Sequence, residues 1–332
     1  MKKKLLILFG IMVLFIIAST FIIKIAGKKD TSDSDQTDNK LKIVTTFYPV
    51  YMIGLNLADQ IEDMEVSSLT KLNTGCLHDY QLTTEDMKLI SSADILVING
   101  GGMEGFLEDV TKNYPELTII DASQGITMLS NVEGEFELEE ANEEEDHGEY
   151  NPHVWLDPKL YIQQIENVRD GIINYINEAD SDTKTEVTEV TQSIQVNAQT
   201  YIQKITELDT EIDAIMQSSE QSLEGQQAVI FHDSFAYLAN RVGMKVAFTV
   251  PLDSDTSLSA GDIAEIIDEV KADDIKYLFT EQQYSDSIAK QISAETGSSE
   301  YIIDSVVTGD GAKDSYLTAM TKNLNILKES IQ

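Results

Sequence analysis

The sequence predicts an α/β protein in which two βα lobes, each with a parallel sheet, are joined by a long rigid helix. Three observations lead to this prediction. From Leu41 onward, short apolar runs alternate with helical patterns, which is the arrangement of βαβ units. The same alternation starts again near residue 226. Between the two regions lies a long stretch with helical periodicity, which is expected to be a rigid connector.

The first lobe is predicted over residues 41–157. The apolar run Leu41–Phe47 is strand-like, and the segment after Pro49 has helical spacing. A second strand, EVSSLT, leads into the loop LNTGCLHDY, after which Thr83 or its neighbour Thr84 can cap a short helix. Two further buried strands, DILVING and LTIIDAS, complete the lobe.

The helical connector is predicted over residues 158–225. Helical periodicity runs from about Pro158 to about Ser219, with an interruption near residues 180–183. Apolar residues at three- and four-residue steps mark one buried face of the second half of this tract. They are Tyr201, Ile205, Leu208, Ile212 and Ile215.

The second lobe is predicted over residues 226–332 and repeats the scheme of the first. Its strands are Ala228–Phe231, the run KVAFTV, Ile275–Glu281 and Glu300–Asp304, with helices between them. The helix SDSIAKQISAETG is expected to close on Gly297.

The N-terminal segment, residues 1–27, is typical of a signal anchor or a signal peptide. Lysines flank the uncharged apolar run Leu5–Ile23. This run is closer to the roughly 17–25 residues of a membrane-spanning helix than to the roughly 7–15 of a signal peptide, which favours an uncleaved anchor. The polar segment 28–40 is expected to be a flexible tether. The body would then be extracytoplasmic, tethered to the cell membrane, or secreted if the segment is cleaved.

Charge excludes one large class of partner. The chain carries 23 Lys and Arg against 58 Asp and Glu, and six of the basic residues lie before residue 30. Such a surface repels phosphate backbones, so no nucleic-acid partner is expected. Ten of the acidic residues fall in residues 133–149, a predicted solvated loop that also contains His147. Such an acidic surface suits small cations better than nucleic acids as ligands.

The few cysteines and histidines restrict the metal chemistry. Cys76 is the single cysteine, which rules out an internal disulfide and a multi-thiolate cage. His232 and Asp304 lie at the carboxyl ends of predicted strands, where ligands bind in open α/β sheets. His78 lies in the loop after another strand, and His153 lies just before a helix start. We therefore expect these four to meet in the cleft between the lobes, where three imidazoles and one carboxylate suit Zn²⁺ best.

Four motifs, in order, resemble the metal-binding proteins of bacterial ABC uptake transporters for zinc and manganese, in the zinc branch. They are GCLHDYQLTTEDM, NPHVWLDP, FHDSFAYLANRVG and FTEQQYSDSIAKQISAETG, and the likeness covers nearly all of residues 41–332. The resemblance implies that His78, His153 and His232 are ligands and that Asp304 occupies the fourth position. It implies a non-enzymatic, monomeric receptor that delivers Zn²⁺ to an ABC permease. Manganese-preferring members usually have a carboxylate in place of the third histidine, so Mn²⁺ is the alternative cargo.

Several alternatives stay open at the level of sequence. Cys76 is either a thiolate ligand or a buried thiol. Glu281 either borders the site or caps the next helix, and His147 either samples solvent or captures metal transiently. Gly100–Gly102 lack the Lys-Ser/Thr of a phosphate-binding loop and are expected to form a turn. The rival functions are a zinc hydrolase, for which no HExxH-like motif is present, and a cell-adhesion protein that uses metal only for stability.

Overall fold

The computed structural model describes residues 40–77, 80–130, 150–179, 184–218, 222–250, 258–281 and 287–331. The predicted anchor and, apart from Lys40, the predicted tether lie outside these ranges. So do the acidic segment and the histidine at position 78. In the part of the chain that is described, no helix is long and apolar enough to cross a membrane.

The first lobe contains a parallel sheet with the strand order β2-β1-β3-β4. Its apolar strands need cover on both faces, which parallel sheets obtain from the crossover helices. The strands are β1 (Leu41–Thr45), β2 (Met64–Ser68), β3 (Ile95–Ile98) and β4 (Thr118–Asp121). The helices are α1 (Tyr48–Leu57), α2 (Thr84–Ser91) and α3 (Leu107–Asn113). Thr83 caps α2 in a capping box with Asp86, as the sequence predicted for this position.

The second lobe repeats this topology, with the parallel strand order β6-β5-β7-β8. The strands are β5 (Gln227–Ile230), β6 (Lys245–Thr249), β7 (Tyr277–Glu281) and β8 (Ser299–Ile303). The helices are α6 (Phe235–Arg241), α7 (Ala260–Ala272), α8 (Ser287–Thr296) and α9 (Ser315–Ser330). Gly297 ends α8 with a φ of 80°, as predicted. The predicted fold class is confirmed.

Two helices, α4 (Pro158–Ala179) and α5 (Lys184–Ser218), lie between the two sheets in the chain. Helix α5 contacts both lobes. In the first lobe, its Asn197 side chain donates to the Leu57 carbonyl at 3.0 Å, and in the second, its Asp209 accepts from Arg241 at 2.8 Å. All members of the apolar face predicted for α5 are buried. This long helix therefore contacts both lobes through polar bonds at Asn197 and Asp209 and has a buried apolar face.

The segment after β8 returns to the first lobe and adds direct bonds between the lobes. The Gly309 N–H donates to the Leu72 carbonyl at 3.0 Å. The Asn56 side chain in α1 donates to the Lys313 carbonyl at 2.8 Å. Because these bonds join residues far apart in sequence, they help to hold the two lobes together.

Each sheet reverses its strand order at the central pair of strands, β1 and β3 in the first lobe and β5 and β7 in the second. Ligand sites of open α/β sheets form beyond the carboxyl ends of such a pair. In the first lobe the position is occupied by Glu104, which is fully buried. Its carboxylate accepts from Thr46 Oγ1 at 2.7 Å and from the backbone N–H groups of Asn99 at 2.7 Å and Gly100 at 3.1 Å.

The turn after β3 depends on glycine at position 100. Gly100 has a φ of 83°, and a Cβ there would lie 1.9 Å from Asp121 Oδ1. Gly101 and Gly102 also have positive φ, so the predicted turn is confirmed. The turn places Asn99 where its side chain donates to the Pro152 carbonyl at 2.9 Å. The first lobe thereby supports the segment that contains His153.

Glu104 makes the stability of the protein depend on pH. Burial raises the pKa of Glu104 to about 7, although its three hydrogen bonds act in the opposite direction. Because the folded-state pKa lies above the ordinary value of 4.5, folding favours the protonated carboxyl. The resulting stabilisation is complete below pH about 4.5 and is lost as the pH rises through about 7.

We therefore expect Glu104→Gln, which cannot ionise, to remove this part of the pH dependence. Urea unfolding of both proteins at pH 5 and pH 8 measures it. The free energy of unfolding of the wild type should fall by up to about 3 kcal/mol more than that of the variant over this interval. Equal changes in the two proteins would show that Glu104 does not bind a proton on folding.

Candidate metal centre

Among the described residues, Cys76, His153 and His232 form the group whose potential ligand atoms come together. One such atom from each lies within 4.8 Å of those of the other two. Cys76 lies in the loop after β2, His153 immediately precedes the short 3₁₀ turn Val154–Leu156, and His232 follows β5. The two imidazole rings are edge to face with centroids 5.0 Å apart. Residues of both lobes thus contribute to one cluster.

Asn151 determines which ring nitrogen of His153 bears the proton. The Asn151 side-chain oxygen accepts the backbone N–H of His153 at 3.0 Å and lies 2.9 Å from its Nδ1. This oxygen is the acceptor for both groups because the Asn151 amide nitrogen donates to the Asp233 carbonyl at 2.9 Å. Nδ1 therefore bears the proton and Nε2 bears the lone pair. This arrangement is typical of metal-binding histidines.

Asn151 is itself held in place by bonds to both lobes. Its N–H donates to the Leu129 carbonyl at 2.9 Å, and its carbonyl accepts from the Tyr237 hydroxyl at 2.6 Å. Burial raises the pKa of Tyr237 to about 12, so this hydroxyl keeps its proton. Asn151 and His153 are both 0 % exposed. A buried imidazole with so many supporting bonds has little freedom to reorient.

His232 lies in the second lobe at the carboxyl end of β5, beside the end of β7. Its Nδ1 is 2.5 Å from Ser234 Oγ and 3.8 Å from Glu281 Oε2. Its Nε2 is 3.5 Å from Asp233 Oδ1, and the same oxygen lies 3.4 Å from His153 Nδ1. The two imidazoles are thus bordered by two carboxylates, one of them buried.

The charge of the cluster favours a cation. The Glu281 side chain is 1 % exposed and the Asp233 side chain 29 % exposed, so solvent screens the first far less than the second. Imidazole nitrogens and carboxyl oxygens in a shielded site offer lone pairs to a divalent ion. Of the two alternatives for Glu281, the geometry favours a carboxylate that borders the site.

The cluster contains two of the four predicted ligands, His153 and His232. His78 lies outside the described residues, as does His147. Asp304 follows β8 as predicted, but its carboxylate does not join the group within 4.8 Å. Its Oδ1 accepts the N–H of Val306 at 2.8 Å, and its backbone is bound by Asn323. Metal binding by His78 and Asp304 therefore stays a prediction.

Sequence reasoning missed Asn151 and Asp233, which lie close to the two histidines. Both lie within motifs that were singled out, Asn151 in NPH and Asp233 in HDS. An asparagine two residues before a candidate ligand is a usable signal, because its side chain can bond both the backbone and the ring of that histidine, as it does here.

Comparison with known proteins supports a metal-related function. Residues 43–330 match the family described as zinc-uptake complex component A, periplasmic. The zinc-binding protein AdcA of Streptococcus pyogenes serotype M3 is 29% identical over 344 residues, which cover 99% of this chain and 61% of that protein. The chain thus spans about three fifths of the length of this relative.

Two further relatives match along nearly their full length. The high-affinity zinc uptake system protein ZnuA of Bacillus subtilis is 27% identical over 326 residues, which cover 96% of this chain and 97% of that protein. The crystal structure of the Zn(II)-bound ZnuA-like domain of Streptococcus pneumoniae AdcA has a TM-score of 0.68 at 26% identity, and the match covers 88% of this chain and 99% of that one. Because the family match extends over both lobes, the chain belongs to the family of zinc-uptake complex component A.

Proposed function

We propose that this chain binds Zn²⁺ outside the cytoplasmic membrane and delivers it to the permease of an ABC transporter. The observation that carries the proposal is the convergence of two buried imidazoles, His153 and His232, from elements of different lobes. Isolated buried histidines are common, but two with ring centroids 5.0 Å apart and carboxylates beside them support the proposal of a cation site. Zn(II)-bound AdcA from S. pneumoniae, which resembles this chain, supports the identity of the ion.

His78, His153, His232 and Asp304 are the ligands we propose. His153 Nε2 is prepared for binding by the bond that Asn151 accepts from Nδ1. Imidazole nitrogens favour Zn²⁺, whereas an oxygen-rich ligand set favours Mn²⁺. The proposal therefore assigns Zn²⁺ as cargo, and Mn²⁺ is the competing ion.

The N-terminal segment supplies the proposed location. The apolar run between lysines in residues 1–27 would hold the body at the outer face of the membrane, with residues 28–40 as tether. The family description, periplasmic, agrees with an extracytoplasmic body. A receptor of this kind has no turnover: it captures the ion and releases it to the permease.

The test is calorimetric titration of the metal-stripped full chain with Zn²⁺, followed by competition with Mn²⁺. We expect one tight Zn²⁺ site per chain that excess Mn²⁺ does not displace. His147→Ala is the matched control, because it removes an imidazole from the acidic segment and should leave this site intact. Displacement by Mn²⁺ would identify a manganese receptor, and absence of stoichiometric binding of either ion would refute the proposal.

A further inference from the structure

We infer that the sulfur of Cys76 binds the same ion as His153 and His232, and that it strengthens the preference of the site for Zn²⁺ over Mn²⁺. The inference deepens the proposed function and rests on it. The sequence leaves Cys76 as either a thiolate ligand or a buried thiol, and the resemblance implies no sulfur ligand. It follows from where the fold places this side chain.

The first argument is the position of the sulfur. Cys76 Sγ lies 3.1 Å from His153 Nε2. With Cys76 added to the four ligands proposed above, the ion would have five ligands. Two of them at a near-tetrahedral angle, with bonds of about 2.3 Å to sulfur and about 2.0 Å to nitrogen, lie about 3.5 Å apart. A shift of a few tenths of an ångström opens the observed contact to that spacing. The His232 ligand atom is within 4.8 Å of both, so the three atoms surround a volume of the size that one ion needs.

The second argument is the direction of the imidazole. Because the Nδ1 proton of His153 is donated to Asn151, the lone pair is on Nε2, which is the ring nitrogen 3.1 Å from Cys76 Sγ. A thiol that only fills space packs among apolar groups. Cys76 is half-buried, and its sulfur contacts a ring nitrogen and, at 3.9 Å, the thioether of Met103. The side chain of the adjacent Leu77 is 0 % exposed and packs in the core. The side chain of Cys76, in contrast, lies at the cluster with His153 and His232.

Sulfur at this position has a chemical consequence. Binding replaces the S–H bond by a metal–sulfur bond and releases the proton to solvent, with no change of oxidation state. Thiolate ligands stabilise Zn²⁺ much more than Mn²⁺, which prefers oxygen. Cys76 therefore acts as a specificity-determining ligand of the site.

The test uses Co²⁺ as an optical probe, added to the reduced, metal-stripped full chain. A bond between Co²⁺ and thiolate produces a charge-transfer absorption in the near ultraviolet. Because Cys76 is the single cysteine of the chain, such a band can have no other thiolate source within it. We expect the wild type to show the band at one equivalent, and Cys76→Ser to lack it. Met103→Leu, which removes the neighbouring thioether, is the matched control and should retain it.

Metal competition completes the experiment. Cys76→Ser should lower the Zn²⁺ affinity at least about 100-fold, which is more than outer-shell changes usually cost, and leave the Mn²⁺ affinity nearly unchanged. The melting temperature of the metal-free variant should match the wild type, and Cys76→Ala should behave like Cys76→Ser. Tight Zn²⁺ binding without the band, and unaltered in Cys76→Ser, would overturn this inference alone. Failure of the wild type to bind Co²⁺ or Zn²⁺ would overturn the proposed function itself.

Discussion

His232→Ala should lower the Zn²⁺ affinity of the chain at least about 100-fold, which is more than outer-shell changes of metal sites usually cost. The side chain is 1 % exposed and follows β5, and the other histidine of the described residues, His153, is itself a proposed ligand. Removing it also leaves the Asp233 and Glu281 carboxylates without the ring that they flank. Competition with a chromophoric zinc chelator measures the loss.

His232→Asp is the informative companion of this variant. It restores an anionic oxygen ligand but not a nitrogen, so divalent binding should recover in part and shift toward Mn²⁺. The metal-free melting temperatures of both variants serve as the folding control. If His232→Ala binds Zn²⁺ as tightly as the wild type, the ion is held elsewhere and the site assignment fails.

Trp155→Ala should destabilise the metal-free protein by about 4 kcal/mol, within the range measured for removing a buried large aromatic ring. Trp155 is 0 % exposed and packs edge to face on Phe47 with centroids 5.2 Å apart. Its Nε1 donates to the Ser305 carbonyl at 2.8 Å, and its carbonyl accepts from the Tyr316 hydroxyl at 2.7 Å. The residue thus joins the His153 segment to the chain after β8.

Trp155→Phe separates packing from hydrogen bonding. It keeps most of the apolar volume and loses the bond to Ser305, so it should cost less stability than alanine. Its Zn²⁺ affinity should still fall, because Ser305 adjoins the proposed ligand Asp304. Urea unfolding and zinc competition on the same preparations measure the two effects. A cost below about 1 kcal/mol for Trp155→Ala would contradict the role of this residue as a joint between the lobes.

Much of the fold follows from local sequence. The run ILVI at Ile95–Ile98 is apolar throughout because both faces of a parallel strand are covered, and it becomes the central strand β3. The capping box at Thr83 and the positive φ at Gly297 mark helix ends by chemistry within a few residues. The buried face of α5 is visible in its three- and four-residue spacing. Each of these features depends on near neighbours in the chain.

The sequence by itself thus determined two lobes of βα units, a helical connection and the candidates His153 and His232. Only the tertiary structure decided which side chains accompany them. Strand order places β7 beside β5, so Glu281 lies next to His232, whereas β8 is one strand farther away. Cys76 joins the cluster because its loop meets the His153 segment. Contacts between residues so far apart in the chain arise from sheet order and lobe docking, which no local spacing encodes.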